Sequence, residues 1–372
     1  MKKLFRILTL IILCSFILSG CWDQKIFEQV ALVLSIGIEE SKDKEQLLVT
    51  YVYPIIGGKE RDDVGLESGT SNILRGAREI IRYKTPKRVE GGKIQQILIS
   101  DSLAKTGIHD ILEIFQRDVT LPAIAYVVVV EGSPNEMLIK GEKLENRPRI
   151  SFYAFQLLED NVKASNIPNT KVFDFDINFF APGLDPVTPM IKLEKESLAI
   201  TGCALFSDDK MVGKLNEKQT VMLLGMMGQT KNTDFIFLDK QFSTGNPINY
   251  GISVTLRKPK HKIDINFDDE GIPIIDISMR YDCQLDEYKW NETDDPVEQA
   301  RIEKEIGKQL SIVCNEVVKI MQEVNSDPIG FGNMIRAKYY EYWQSIDWRE
   351  VYPEAQIKVD VQTEIVKEGI IK

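Results

Sequence analysis

The sequence predicts an α+β protein built of mixed α/β domains, each a β-sheet packed with helices, and three observations predict it. In the first half, β-branched runs such as Ala123–Val130 alternate with stretches whose apolar residues fall at helical spacing, the pattern of a mixed layer. In the second half, His261–Phe267 and Ile272–Tyr281 flank the polar tip Asp268-Asp269-Glu270-Gly271 and read as two paired strands. A single long helix follows, opened by Asp295-Pro296, with Ile306, Leu310, Val313, Val317, Ile320 and Val324 recurring every three or four residues. A stripe of that length belongs across a sheet.

Ahead of these elements stands an export signal. Lys2, Lys3 and Arg6 give a positive start, and the apolar run Ile7–Leu18 that follows is twelve residues long. A span of the hydrocarbon core takes about 20 apolar residues, so this run fits a secretory signal rather than a membrane helix. It closes on Leu18-Ser19-Gly20-Cys21, which resembles the lipobox of bacterial lipoproteins. The expectation is a lipoprotein signal peptide, residues 1–20, cut after Gly20, with the Cys21 thiol carrying a diacylglyceryl group. Two or three acyl chains at about 0.8 kcal/mol per buried methylene make a stable anchor where one is marginal. The mature body is then a globule held by its first residue at the outer face of the cell membrane.

Charge fits that picture. The whole chain carries −10, and losing Lys2, Lys3 and Arg6 with the signal takes it to −13. Such a body is repelled by phosphate backbones and anionic headgroups, so nucleic acid is excluded as a partner and net charge alone does not hold the protein at a membrane. Roughly 350 mature residues leave room for two or three domains of about 150. The division falls near residue 190, giving an N-terminal α/β region, 21–190, with room for two subdomains, and a C-terminal α+β domain, 191–372.

Catalytic parts are scarce. Beyond Cys14 in the signal and Cys21, only Cys203, Cys283 and Cys314 remain, an odd number with no metal-type spacing, which suits buried thiols better than a disulfide framework. His109 and His261 are the only histidines, and a zinc site or a nucleophile–histidine dyad would have to use one of them. Asp264, Asn266 and Asp268 alternate like calcium ligands, but Asp269 stands where an EF-hand needs glycine and Ile275 where it needs glutamate. The tip therefore reads as a solvated turn. Gly330-Phe331-Gly332 lacks both the third glycine and the preceding strand of a dinucleotide loop. No cofactor or metal follows from the sequence.

Taken in order, Val30–Ile38 and Leu47–Tyr53 read as strands around a polar loop, and Gly57–Gly69 as a polar, glycine-containing loop. Ile73, Ala77, Ile80 and Ile81 mark a helix, and Lys93–Ser100 a strand. Asp101 is placed to cap one helix carrying Leu103, Ile108, Ile111, Leu112 and Phe115. Ser133-Pro134 opens another, and Ser151–Val162 forms a further one. Asn161–Pro189 shows no sustained period and reads as a linker or irregular elaboration. Beyond it, Ser197–Phe206 and Met211–Leu215 form a hairpin around Asp208-Asp209, Asn216 caps a helix through Val221, Leu224 and Met227, and Ile357, Val359 and Val361 alternate in a last half-buried strand. A helix rich in Tyr339, Tyr340, Tyr342 and Trp343 comes before that strand.

Several of these stretches resemble one family together. Gly20-Cys21-Trp22-Asp23 with the Val30–Ile38 strand, Gln116-Arg117-Asp118 before the Ala123 strand, Gly202-Cys203-Ala204-Leu205-Phe206 with Val212-Gly213-Lys214-Leu215, and Asp327-Pro328-Ile329-Gly330-Phe331-Gly332 followed by Tyr342-Trp343 all look like the Ger(x)C spore-germination lipoproteins. The resemblance implies three mixed α/β domains and a C subunit of a nutrient germinant receptor. It further implies work beside two membrane-embedded partners, the A and B subunits, in the spore inner membrane. It carries over the lipidated Cys21 and no catalytic residue, and it does not assign germinant binding to this subunit. Two other classes compete. A solute-binding lipoprotein serving a transporter would need a cleft of converging polar groups between two lobes. A wall-degrading enzyme would need a placed carboxylate pair, and among 56 acidic residues some pair is inevitable, so its presence decides nothing.

Overall fold

Strands with an apolar middle can be buried on both faces, and the centre of the first sheet is built from two of them. The computed structural model describes residues 29–42, 45–55, 64–145, 147–237, 251–287 and 295–367, together with 3, 5 and 6. Cys21 and the Ile7–Leu18 run lie outside the described residues. In chain order the first strands are β1 (Val30–Leu32), β2 (Ser35–Glu40), β3 (Leu47–Pro54), β4 (Val64–Ser71), β5 (Arg88–Glu90), β6 (Gln96–Ser100), β7 (Tyr126–Val130), β8 (Val187–Leu193), β9 (Leu198–Ser207) and β10 (Lys210–Leu215). Eight of them form one sheet in the order β10-β9-β8-β7-β6-β2-β3-β4, while β1 and β5 pair separately in parallel. β2, β6, β7 and β8 run parallel, and antiparallel strands flank them on both sides.

Every residue of β6 and β7 is buried, and alternation sorts their side chains onto two faces. Ile97, Ile99, Val127 and Val129 meet α1 (Leu74–Arg82), α2 (Asp101–Ala104), α3 (His109–Arg117) and α6 (Val172–Phe180). Leu98, Tyr126, Val128 and Val130 meet α4 (Pro134–Gly141) and α5 (Ile150–Lys163). Residue 190 lies within β8, and the sheet continues past it through β9 and β10.

The second sheet has the order β11-β12-β13-β14, from β11 (Asn232–Phe237), β12 (Ile252–Phe267), β13 (Pro273–Glu287) and β14 (Gln356–Lys367), with only the last pair parallel. Its inner face carries α7 (Glu217–Met226) and the long α8 (Pro296–Glu323), which buries Ile302, Ile306, Leu310, Cys314, Val317 and Met321. Gly307 lets α8 approach β14, since a Cβ there would lie 2.6 Å from the Val361 carbonyl. Asn315 then bonds both the N–H and the C=O of Val359, and Ser311 Oγ accepts from Val361 N–H. Three short helices, α9 (Phe331–Lys338), α10 (Tyr340–Gln344) and α11 (Trp348–Val351), lead from α8 to β14.

Four local expectations are corrected. Residues 64–69 belong to β4, because pairing along β3 supplies what their polar, glycine-bearing sequence lacks. The stretch 161–189 contains α6, whose crowded phenylalanines hid any period. The helix expected through 103–115 is two, α2 and α3, broken at Gly107 with φ +114°. Its cap is Ser100, whose hydroxyl accepts from Leu103 N–H, while the Asp101 carboxylate accepts from Gly132 N–H across the sheet end.

Candidate functional site: the joint between the two sheets

The six residues Asp327-Pro328-Ile329-Gly330-Phe331-Gly332 follow α8, and their backbone curls around a carboxylate. Pro328 disfavours helical backbone at Asp327, and Gly330 adopts φ +80°, a conformation that costs glycine little. The curl points three successive N–H groups inward. Asp327 Oδ1 accepts from Gly330 N–H at 2.8 Å and Phe331 N–H at 3.0 Å, and Oδ2 accepts from Gly332 N–H at 2.9 Å and Trp348 Nε1 at 3.1 Å. This is an anion nest occupied by the chain's own aspartate. The glycines that mimic a nucleotide loop are spaced for that carboxylate.

The same segment is stitched to the first sheet. Asp185, two residues before β8, accepts from Asp327 N–H at 2.7 Å, and Asp327 C=O accepts from Asp185 N–H at 3.0 Å. Arg349 of α11 clasps Asp185 with both terminal nitrogens, at 2.7 and 2.6 Å, and reaches Asp208 in the β9–β10 turn at 2.9 Å. Asp208 N–H also donates to Asp185 Oδ1. Ser326 Oγ donates to the Phe206 carbonyl, and Tyr352 Oη to the Ser326 carbonyl. Gly183 and Gly332 meet backbone to backbone: a Cβ on Gly332 would fall 2.8 Å from Gly183 Cα and 2.6 Å from Trp348 Nε1.

Electrostatics follow from burial. Desolvation pushes the Asp327 carboxyl up to about 7, against the pull of its N–H donors, and the neighbouring Asp185 adds to the rise. For Arg349, burial disfavours the charge, yet Asp185 and Asp208 outweigh it and hold the guanidinium above its ordinary value. A bidentate arginine–carboxylate pair with most of its remaining valences filled is the form in which buried charge is tolerated. The arrangement contains no activated nucleophile. What it can do is make two sheets move as one piece.

The residues singled out in the sequence do not converge. His109 opens α3 and stacks on Phe179 at 4.3 Å, whereas His261 lies in β12 against Gly228. Cys203, Cys283 and Cys314 are buried free thiols, each pushed up to about 12 by desolvation. Asp268 spends its Oδ1 on the N–H groups of Glu270 and Ile272 in its own turn, and Asp264 pairs with Lys262. Among the described residues no group of His, Cys, Asp or Glu is arranged to hold a metal. Asp185 and Arg349 went unread, because nothing local marks two residues 164 positions apart as partners.

An open cleft of about 980 Å³ lies at the carboxyl ends of β7 and β8, bounded by Glu131, Ser133, Glu136, Lys140, Glu194 and Glu196. Parallel sheets bind ligands at this end. A smaller cleft of about 400 Å³, with Phe180, Trp343, Ile346 and Arg349 among its walls, flanks the joint.

Two mixed α/β layers joined through the buried carboxylates of Asp185 and Asp327 and the half-buried Arg349 define a two-sheet α+β protein. Comparison with known proteins gives the family. Residues 23–193 match the spore germination protein N-terminal domain and residues 201–369 the spore germination B3/GerAC-like C-terminal domain, so the chain belongs to the Ger(x)C spore germination family. It is 23% identical to spore germination protein GerQC of Bacillus cereus, over 97% of this chain and 98% of that one. With spore germination protein B3 of Bacillus subtilis it shares 23% identity, over 95% of each chain. The crystal structure of the GerBC protein superposes with a TM-score of 0.56 at 20% identity, covering 92% of this chain and all of that one, and so shares the fold.

Proposed function

We propose that this protein is a non-enzymatic, lipid-anchored C subunit of a nutrient germinant receptor, acting beside membrane-embedded A and B subunits in the spore inner membrane. The observation that carries the proposal is the pair of germination-family matches over residues 23–193 and 201–369, preceded by Gly20-Cys21-Trp22. Anchoring at Cys21 keeps the body within one tether length of its partners and raises its effective concentration without new contacts. The locked joint supports a role in which the folded body passes contact from one surface to another. Replacing Cys21 with Ala is expected to slow nutrient-triggered germination severely while leaving nutrient-independent germination intact. Spores carrying that change and germinating normally with nutrients would refute the anchoring role.

The cleft at the carboxyl ends of β7 and β8 favours one competing reading, a solute-binding lipoprotein associated with a transporter. Calorimetry of the full protein with amino acids and sugars separates the two, since submillimolar binding to the isolated chain supports the competitor.

A further inference from the structure

One end of the first sheet differs in chemistry from the other. At the amino end, where the chain enters, Val30 pairs beside Arg88 and Val33 N–H donates to the Glu90 carbonyl. The loop before β7 lies against this entry: a side chain at Gly91 would strike Leu121 at 2.4 Å, and one at Gly92 would meet the Thr120 carbonyl at 3.3 Å. These neighbouring loops hold out large apolar side chains. Val119 is 97% exposed, Tyr83 88% and Ile124 67%. Phe173, whose N–H donates to the carbonyl before Ile124, is 40% exposed.

Cations surround them. Lys84, Arg88, Lys93 and Arg117 are exposed along the same loops, Arg117 pairing with Glu113. The two carboxylates there are already engaged, Glu90 with Arg88 and Asp118 with Arg75 and Arg78. The opposite end of the sheet carries Glu131, Glu136, Glu194 and Glu196 with Lys140 and Lys195 around its cleft, and there Glu131, Glu136 and Glu194 pair with Lys214, Lys140 and Lys192.

We propose that the amino-end loops, residues 83–93 and 117–124 with Phe173, rest on the lipid bilayer, their apolar tips in the headgroup region and their cations against anionic headgroups. This rests on the lipid attachment at Cys21 proposed above. The tether identifies the occupant. Eight residues separate Cys21 from Val30, nine steps along the chain with a reach of at most about 30 Å, while a body of this size measures about 50 Å across. A tether shorter than the body keeps its point of entry near the membrane. Charge turns the body the same way, since an acidic globule approaches an anionic surface most readily by a face that exposes cations, here Lys84 and Lys93. Exposed aromatic and aliphatic side chains ringed by Lys and Arg are the chemistry of an interfacial contact.

The test uses the full lipidated chain in vesicles of phosphatidylcholine with anionic phosphatidylglycerol, carrying an environment-sensitive fluorophore at Val119→Cys or at Glu196→Cys. The native thiols Cys203, Cys283 and Cys314 are buried and Cys21 is consumed by the lipid, so labelling is specific. The expected result is a severalfold stronger quenching at 119 than at 196 by shallow spin-labelled lipids. Reversing the exposed Lys84 and Lys93 to Glu should reduce it without changing flotation. If the chain floats with the vesicles and the 119 probe is unquenched, or both probes are quenched alike, the proposed orientation is overturned while anchoring stands. A chain that fails to float overturns the anchor and the orientation together.

Discussion

The two sheets bury their cores by different rules. In the first, β6 and β7 are covered on both faces, so Gln96–Ser100 and Tyr126–Val130 are buried at every position. In the second, β13 alternates strictly, with Ile275, Ile277, Met279, Tyr281 and Cys283 inward and Asp276, Ser278 and Arg280 outward. The first sheet is held by helices on two sides, the second by α7 and α8 on one. The difference teaches where each is vulnerable: the second depends heavily on one long helix and on the joint that ties it to the first.

That comparison breaks most sharply at Asp327. Removing its carboxylate in Asp327→Ala leaves three backbone N–H groups and Trp348 Nε1 without their carboxylate acceptor in a buried pocket, at an expected cost of about 4 kcal/mol. Urea unfolding followed separately by fluorophores on each sheet should turn one transition into two. A single transition at the wild-type midpoint would show that the joint does not couple the sheets.

Next in size is Leu310→Ala, which empties a fully buried position under α8 and should cost about 3 kcal/mol. In the intact protein both sheets should unfold earlier together. Combined with Asp327→Ala, only the second sheet should respond. Loss confined to the second sheet in the single variant would mean that the sheets are independent from the outset.

Smallest when counted per pH unit is the effect of acidity. Asp327 holds its proton up to about pH 7 when folded, against an ordinary value of 3.8. Between those values the folded chain binds more protons than the unfolded one, so this group's contribution to stability declines as pH rises and is constant above about 7. The slope is at most about 1.4 kcal/mol per pH unit. Asp327→Asn removes the titration, so its stability should vary less between pH 4 and 7 than that of the wild type. Parallel curves would place the titration elsewhere.

Much of the fold was legible because its signals are local. Ser133-Pro134 capped α4, Asn216 capped α7 through a full capping box, and the stripe on α8 ran to Val324. The solvated reading of 268–271 holds, with Asp268 folded back on its own turn. Elements whose stability comes from neighbours were not legible. β4 is too polar and glycine-bearing to announce itself, β11 exists as a strand by pairing with β12, and Phe173, Phe175, Phe179 and Phe180 hide the faces of α6 by being apolar on all of them.

By itself the sequence determined the strands and helices with strong periods, the absence of metal spacing, the family motifs, and a cysteine where an export signal should end. Each of these is a property of neighbouring residues, and a local pattern can state it. Only the tertiary structure decided that Asp327 fills its own glycine nest, that Asp185 and Arg349 close the joint, and that exposed apolar and basic loops gather where the chain enters. Those facts depend on groups brought together across long stretches of chain, and it is burial between them, not spacing along the chain, that gives them their energy.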